Sequence, residues 1–464
     1  MNLEAKDFEY SLKNIPIPSK GSYLKCLIEK AESLIITMRW KAALYMNKNT
    51  ETNDETNSKT ENFGFRSKKR PPQNELLKPF EDDLIKLIRN VEFKRIESPF
   101  LKRLNEDAKF IKENENVFVF ADKTTNIYAV PKENYEKVLK ENVTKHYKKS
   151  SPNTSKQINN EAASIARKLE LADRMECFTE KEAFITFKDH KDNFINNPKC
   201  RLINPAKSQV GKVSKIILEN INKSIRSKTN LIQWRNTDEV IKWYKSKNNL
   251  KNCTFTQFDI CEFYPSITEN LLEKSLKFAS SNIKIPKEDI NIIYHARKSL
   301  LFSDNAEWIR KKKNGEGDLF DITMSCYDGA EVCELVSLYL LREIKKKLGL
   351  TEIGLYRDDG LALFSKMSGP KAERMKKNLK EIFKKNGLSI TIDVNLKVAD
   401  FLDVTFNLNN KSYYPFRHLA CGLGPDLKYF SWLLVSVPLT ARTSYQAQVV
   451  DLGGGQVGRS PPFL

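Results

Sequence analysis

Three aspartates in two short segments are candidate ligands of a metal ion. Asp259 ends the alternating apolar run FTQFD, which predicts a strand, and Asp358 and Asp359 lie in IGLYRDDGLALF, where two apolar strands flank a turn. Neighbouring carboxylates repel each other, and a divalent cation offsets that repulsion. Asp-Gly is also a strong hairpin-turn signal, so the second segment alone fits a structural turn as well as a metal site. Asp259 alone likewise fits an ordinary strand end.

The elements around these acids form a pattern of helices and strands. Ser266 and Glu269 make a capping box, which predicts that a helix begins there. A polar turn with Gly329 opens a long amphipathic helix, which three lysines and then Gly349 bring to an end. Further along, the sequence predicts a helix over 371–387 and then the strands LSITIDV and ADFLDVTFNL. A helix followed by antiparallel strands predicts a fold of the α+β class.

In their order along the chain, these segments resemble the consecutive palm motifs of a reverse transcriptase. The motifs are FDICEFYPSI, the glycine turn with its helix, YRDDG and FLDV. Upstream, ADKTTN (121–126) and TFKDHKDNFINNPKCRLINP (186–205) are similar to the region that precedes the fingers in Penelope-like, telomerase-related retroelement polymerases. The resemblance covers residues 117–415 and implies a right-hand polymerase with fingers and an antiparallel-sheet palm.

The resemblance also implies a reaction and its catalytic residues. The reaction is RNA-directed DNA synthesis, in which a primer 3′-hydroxyl attacks a dNTP with the help of two Mg²⁺ or Mn²⁺ ions. Asp259 and Asp358 are then the bridging metal ligands, Asp359 is the auxiliary acid, and the backbone carbonyl of Ile260 completes the metal shell. Lys397, which precedes FLDV, resembles the family's proposed general acid that protonates pyrophosphate.

The expected substrate-binding residues follow from the same resemblance. Lys188 and Arg201 resemble the fingers residues that clamp the triphosphate, because a guanidinium fork suits phosphate oxygens. Lys191 is an alternative to Lys188, and either lysine also fits a solvated surface charge. Tyr264 occupies the position of an aromatic ring that would collide with a 2′-hydroxyl and so select deoxynucleotides, although a core aromatic is the other interpretation. Gly329 marks the turn expected to contact the template strand.

Three features depart from the family pattern. The turn before Gly329 reads MSCYDG instead of Gln-Gly or Met-Gly-Ser, and Arg357 fills the variable position of Y-x-D-D, where a small or apolar residue is commoner. Residues 416–464 contain one lysine, Lys428, and no Asn, Ile or Glu, although the rest of the chain is rich in all four. This break predicts a read-through, frameshift or fusion junction near Pro415. We therefore expect the thumb to be missing or replaced.

Composition favours a nucleic-acid partner over other classes. The chain has 464 residues, with 78 Lys and Arg against 59 Asp and Glu, so its formal net charge is +19. This excess suits a polyanion such as an RNA template with a DNA primer. No apolar run is long enough to span a membrane and no signal peptide is recognisable, so we expect an intracellular protein of the nucleus or cytoplasm. The eight cysteines are scattered, which predicts reduced thiols and not disulfides or a zinc finger.

The sequence predicts six regions along the chain. It also predicts a β-hairpin over 117–131, within the third of them. The short basic run RSKKRPP (66–72) fits a nuclear import signal or a solvated charged patch. The regions are a helical segment (1–47), a flexible polar and basic linker (48–75), an extension before the fingers (76–160), the fingers (161–250), a palm with the catalytic motifs (251–410) and a tail of foreign composition (411–464).

Three functional hypotheses remain at this point. The first is a reverse transcriptase of a mobile element, and the retained acids favour it. The second is a catalytically impaired, truncated remnant that still binds nucleic acid, and the expected loss of the thumb favours it. The third, a viral RNA-directed RNA polymerase, shares the palm but usually has Gly before its paired acids. The sequence does not indicate an oligomeric state.

Overall fold

The computed structural model describes most of the chain between residues 20 and 416. The predicted tail, apart from its first residues, and most of the predicted linker lie outside the described residues, and so does Lys191. The described residues are 5–6, 20–50, 63, 65, 70–94, 106, 109–110, 113, 115–124, 126–151, 153–175, 180–190, 194, 198–311, 319–323, 325–365 and 369–416.

Helices and strands alternate through the described residues. The helices are α1 (Lys20–Thr50), α2 (Lys78–Arg89), α3 (Lys132–His146), α4 (Thr154–Lys168), α5 (Val210–Lys228), α6 (Thr237–Lys245), α7 (Phe263–Ser266), α8 (Glu269–Asn282), α9 (Lys287–His295), α10 (Gly329–Leu348) and α11 (Gly369–Lys385). Short 3-10 helices lie at Glu75–Leu77 and Leu250–Asn252. The strands are β1 (Ala5–Lys6), β2 (Asn116–Phe120), β3 (Ile127–Pro131), β4 (Tyr147–Lys149), β5 (Phe184–Phe187), β6 (Cys200–Ile203), β7 (Ile232–Gln233), β8 (Cys253–Ile260), β9 (Leu301–Ser303), β10 (Ala306–Arg310), β11 (Ile353–Tyr356), β12 (Asp359–Ser365), β13 (Ile390–Leu396), β14 (Val398–Phe401), β15 (Val404–Asn407) and β16 (Ser412–Pro415).

A five-stranded sheet with the order β13-β8-β12-β11-β7 lies at the centre of the molecule. Its first four strands are antiparallel to their neighbours, and β7 pairs with β11 in parallel. The predicted α+β class is confirmed. β8 lies between β13 and β12 and is buried along most of its length, although Thr254, Thr256 and Gln257 alternate with its apolar residues before the acid.

Gly360 lets the two middle strands pack closely. It lies opposite Phe258 in the β12–β8 register, and a Cβ at Gly360 would come within 2.1 Å of the Phe258 ring. The Asp-Gly dipeptide therefore has a packing role besides the turn preference that its sequence suggests.

Helices cover one face of this sheet and a small sheet packs against the other. On the first face, α5, α8, α10 and α11 contribute to the largest apolar core, together with Phe258 and Ile392 of the sheet. On the second face, Phe255 and Leu361 pack with residues of the antiparallel sheet β14-β15-β16 and with Trp234. The two apolar faces of β8 and β12 thus hold the strand ends in a fixed position between the layers.

The main apolar core contains residues from both sides of residue 250, the predicted limit between fingers and palm. α5 packs against α10, and β7 forms an edge of the central sheet, although both precede residue 250. Two smaller antiparallel hairpins lie outside this core: β2–β3 precedes the predicted fingers, and β5–β6 lies within them. The first of these confirms the hairpin predicted over 117–131.

Several local boundaries differ from the sequence prediction. Helix α8 begins after Thr268, whose Oγ1 accepts a hydrogen bond from the Leu271 N–H at 3.2 Å, so the capping side chain is not Ser266. Ser266 instead ends the short helix α7. Helix α1 continues to Thr50, three residues beyond the expected helical segment. Gly349 ends α10 with a φ of 65°, as its sequence predicts.

Two further properties bear on the expectations from composition. Six cysteines in the described residues are free thiols, namely Cys26, Cys200, Cys253, Cys261, Cys326 and Cys333. No helix within the described part of the chain is long and apolar enough to span a membrane.

Candidate active site

The three aspartates come together at one end of the central sheet. Asp259, near the end of β8, lies directly opposite Asp359, the first residue of β12. The N–H of Ile260 donates to the backbone carbonyl of Asp358 at 3.0 Å, which fixes the end of β8 against the turn. The sequence predicts Asp259 at the end of a strand and the other two acids at the tip of a hairpin, and the register between β8 and β12 makes them neighbours.

The turn that carries Asp358 is a two-residue connection between β11 and β12. Its first residue, Arg357, has a φ of 54°, a conformation that few residues other than glycine adopt without cost. Ser337 on α10 supports this turn, since its Oγ donates to the Arg357 carbonyl at 3.1 Å. The predicted hairpin is confirmed, and the left-handed arginine at its tip is held by the helix behind it.

The surroundings of Asp359 disfavour its ionised form. Burial raises the pKa of Asp359 most, and with the charges of Asp358 and Asp259 it brings that pKa to about 7. Lys123 acts in the opposite direction and lowers the pKa of Asp359. Asp259 and Asp358 thus disfavour the ionisation of Asp359, and a group of neighbouring carboxylates attracts cations.

The donor set suits a hard divalent cation that also binds its substrate. Asp259, Ile260 and Asp358 line the same cleft, so two carboxylates and one backbone segment can supply oxygen ligands. Within the described ranges, no three His, Cys, Asp or Glu side chains are placed to hold a metal by themselves. Mg²⁺ typically uses one or two carboxylates and takes its remaining ligands from water and substrate phosphates, so this pair is chemically suitable.

The cleft beside the acids has a volume of about 650 Å³ and contains most of the predicted substrate-binding residues. Lys188, Arg201 and Tyr264 line it together with Asp259 and Asp358. Lys188 and Arg201 therefore border the same open space as the carboxylates of Asp259 and Asp358. This is the arrangement that a metal-bound polyphosphate needs, with negative ligands for the metal and positive groups for the phosphates.

Tyr264 lies between the acids and the turn that opens α10. A Cβ at Gly329 would lie 3.1 Å from Cε1 of the Tyr264 ring and 2.7 Å from Sγ of Cys326, so only glycine permits this approach. Burial raises the pKa of the Tyr264 phenol, and the Cys333 thiol adds to this effect. Tyr264 is therefore neutral and packed on one side while its other side lines the cleft, which combines the two interpretations that its sequence left open.

Lys188 and Arg201 belong to one hairpin: Lys188 is the first residue after strand β5, and Arg201 lies on strand β6. The backbone N–H of Lys188 donates to the carbonyl of Lys199 at 2.8 Å. Nη1 of Arg201 donates to Oδ1 of Asp122 at 2.7 Å. One donor of the guanidinium is thus used by the protein, and several remain for a ligand.

The structure does not bring Lys397 to this cleft. Its Nζ donates to the carbonyl oxygens of Lys251 and Cys253, at 2.9 and 2.8 Å. Cys253 begins β8 and Asp259 lies six residues along the strand, so about 20 Å separates Lys397 from the acids. The side chain is anchored at the opposite end of the sheet because β13 runs antiparallel to β8, and this position does not support the proton-donor role.

Sequence reasoning missed two acidic residues that organise the cleft wall. Asp189 accepts hydrogen bonds from Thr124 Oγ1 at 2.5 Å, Asn126 Nδ2 at 2.9 Å and Tyr128 OH at 3.1 Å. Asp122 binds Arg201, as described above. Because 61 to 65 residues separate Asp189 from its donors, no local pattern could have indicated these bonds.

A second cavity, of about 590 Å³, contains none of the predicted site residues. Glu161, Lys298 and His295 lie along it, and Glu161 pairs with both of the others. Burial lowers the pKa of His295, Lys298 lowers it further, and Glu161 partly compensates. Glu161 and Lys298 therefore compensate each other's charge at the edge of this cavity.

Comparisons with known proteins give only distant structural likenesses. No protein-family model and no curated protein matches the chain. A telomerase from Candida albicans, solved with a fragment of telomeric RNA, is 11% identical with a TM-score of 0.46 over 83% of this chain and 66% of that chain. A C-terminally truncated telomerase from Candida tropicalis is 12% identical with a TM-score of 0.45, covering 88% and 93% of the two chains. The RNA-dependent RNA polymerase of a human picobirnavirus is 8% identical with a TM-score of 0.38, covering 72% and 71%. With TM-scores below 0.5, these likenesses establish neither the fold nor the family of the chain.

Proposed function

We propose that this chain is an RNA-directed DNA polymerase of a mobile element, with a right-hand architecture related to that of telomerase. The observation that carries the proposal is the meeting of Asp259, Asp358 and Asp359 at the ends of paired strands, beside a cleft that Lys188 and Arg201 also line. If Asp358 and Asp359 only formed a turn, the fold would not need Asp259 opposite them on a strand that is distant in sequence. Paired acids opposite phosphate-binding cations suit nucleotidyl transfer.

In this proposal the carboxylates of Asp259 and Asp358 hold two Mg²⁺ or Mn²⁺ ions, with Asp359 beside them and the Ile260 carbonyl as a further ligand. Such ions, when bound, activate the primer 3′-hydroxyl and stabilise the charge that develops on the leaving pyrophosphate. The raised pKa of Asp359 reflects burial and two neighbouring carboxylates, a repulsion that a bound cation relieves.

The cleft residues would bind the rest of the substrate. Arg201 is held by Asp122 with its free donors available to phosphate oxygens, and Lys188 adds a second positive charge. The ring of Tyr264, packed on Gly329, would exclude a nucleotide with a 2′-hydroxyl. The RNA template and DNA primer would be held mainly through phosphates, since the chain carries an excess of 19 positive charges, and a nuclear or cytoplasmic location suits such substrates.

Primer extension by the full chain on an RNA template, with Mg²⁺ and dNTPs, tests the proposal. Asp259→Asn and Asp358→Asn should each reduce extension by at least about 10³-fold, because metal ligands supply several kcal/mol of transition-state stabilisation. Asp304→Asn is the matched control: Asp304 is an exposed carboxylate in the β9–β10 turn with a φ of 57°, which asparagine tolerates.

The alternative, a nucleic-acid-binding remnant, predicts a different result. The wild-type chain would then bind RNA without extending a primer, and both active-site variants would bind RNA equally well. Extension with ribonucleotides as efficiently as with deoxynucleotides would instead indicate an RNA-directed RNA polymerase.

A further inference from the structure

The loop between β2 and β3 is fastened to the hairpin that carries Lys188 and Arg201. The N–H of Asp122 donates to the carbonyl of Phe187 at 2.7 Å, and the side chain of Asp122 pairs with Arg201. The loop therefore follows the hairpin as one body, although 79 residues separate Asp122 from Arg201.

The other end of the same loop is fastened by Asp189. Its Oδ2 accepts three hydrogen bonds, from Thr124, Asn126 and Tyr128. The Tyr128 ring also packs edge-on against Phe187, with ring centroids 5.6 Å apart. A loop held on both sides by charged hydrogen bonds and by a packed ring presents its middle residue in a defined place.

That middle residue is Lys123, and unlike the side chains on either side of it, its side chain is not bonded to the hairpin. Asp122 and Thr124 are bonded to the hairpin, whereas Lys123 is exposed and makes no ion pair within the described ranges. Lys123 lines the cleft that holds Asp259 and Asp358.

The charge of the cleft explains why a further cation is useful there. A nucleoside triphosphate carries several negative charges, and it must approach a surface that already contains three carboxylates. Arg201 shares its guanidinium with Asp122, so part of its positive charge is already compensated. An unpaired ammonium on a fixed loop supplies the missing charge and three hydrogen-bond donors.

We propose that Lys123 is a third residue that binds the triphosphate of the incoming nucleotide, together with Lys188 and Arg201. The inference rests on the proposed polymerase function and deepens it, since it assigns part of the nucleotide site to a loop that precedes the predicted fingers. Asp122 and Asp189 are then positioning residues, because they hold the loop and do not themselves contact the nucleotide.

Lys123→Met, with Lys132→Met as its matched control, tests this assignment. Lys132 is an exposed lysine at the start of α3, outside the cleft, so the control removes the same charge from the same chain. The binding probe is a fluorescent deoxythymidine triphosphate (mant-dTTP), added to the full chain with an RNA template and a dideoxy-terminated primer. The corresponding monophosphate (mant-dTMP) is measured in parallel.

The expected result separates the triphosphate from the rest of the nucleotide. Lys123→Met should raise the Kd for mant-dTTP and the KM for dTTP by about 10- to 100-fold, the value of a hydrogen bond to a charged group. The Kd for mant-dTMP and for the primer–template should stay within twofold, and Lys123→Arg should restore most of the affinity. Lys132→Met should leave all four quantities unchanged.

Two results would overturn the assignment while leaving the polymerase proposal intact. One is a folded Lys123→Met variant with an unchanged Kd for mant-dTTP. The other is a loss of primer–template affinity with normal nucleotide binding, which would make Lys123 a nucleic-acid contact. If the wild-type chain neither extends primers nor binds mant-dTTP, the proposed function itself fails, and the inference with it.

Discussion

The buried ion pair between Arg297 and Asp328 provides the sharpest test of how the core supports the site. Arg297 follows α9 and Asp328 is the residue before α10, and both side chains are fully inaccessible to solvent. Both carboxylate oxygens of Asp328 lack a well-oriented hydrogen-bond donor, so the guanidinium charge is what compensates them. Asp328 also precedes Gly329, on which the Tyr264 ring packs.

Removing either partner should be costly because it leaves the other charge buried. Burial lowers the pKa of Arg297 and Asp328 raises it, so the guanidinium is charged in the pair. Because arginine does not deprotonate in proteins, it stays charged when Asp328 is removed. We expect Asp328→Ala and Arg297→Met each to lower the free energy of unfolding by about 3–5 kcal/mol. That is a large part of the 5–15 kcal/mol typical of a domain. The side chain of Asp328 makes no capping hydrogen bond, so loss of a helix cap does not add to the effect.

The double variant distinguishes a buried pair from two independent contacts. Arg297→Met/Asp328→Ala removes both charges together, so we expect it to cost less than either single change. Glu273→Ala is the control, since its pair with Lys277 is exposed and should contribute less than about 0.5 kcal/mol.

Urea denaturation followed by fluorescence of the buried Trp234 and Trp243 and by circular dichroism measures these differences from the midpoint and slope. Single changes below about 1 kcal/mol, or a double variant whose cost equals the sum of the two, would refute the reasoning. The first result would mean that water reaches the guanidinium. The second would mean that the two charges do not depend on each other.

Three other predictions follow from the site and its surroundings. Tyr264→Ala should raise the use of ribonucleotides relative to deoxynucleotides by about tenfold or more in primer extension, and unchanged discrimination would leave Tyr264 with a packing role only. Asp189→Ala should loosen the loop over 121–126, seen as faster hydrogen exchange, and raise the KM for dNTP; normal exchange in that loop would show that Asp189 does not hold it. The pKa of His295 is lowered in the folded state, so the unfolded chain alone takes up this proton below about pH 6.5, and stability should fall with pH there. His295→Gln should remove that part of the pH dependence in urea titrations between pH 7 and 5, and an unchanged profile would contradict the shift.

The local elements of the site could be predicted because their signals lie close together in the chain. Alternating apolar residues on both sides of a polar turn predict the hairpins β2–β3 and β11–β12, and both are present. The end of α10 follows from three lysines and Gly349, whose positive φ costs glycine little. The helix after Tyr264 was also predicted, but the choice between Ser266 and Thr268 as its cap depended on α7, which the capping pattern does not show.

Residue types and their order determined that the chain has paired acids, cations of the kind that bind phosphate and an aromatic between them in sequence. Tertiary structure decided which of these residues meet. Asp259 lies beside Asp359 because β8 and β12 pair in one register, and a shift of one residue between the strands would place the two side chains on opposite faces of the sheet. The same antiparallel pairing carries Lys397 to the far end of β8, and Asp189 reaches Thr124 only because two hairpins pack together. Such contacts depend on buried apolar surfaces distant in sequence, whose packing fixes strand register and loop position more strongly than any local preference.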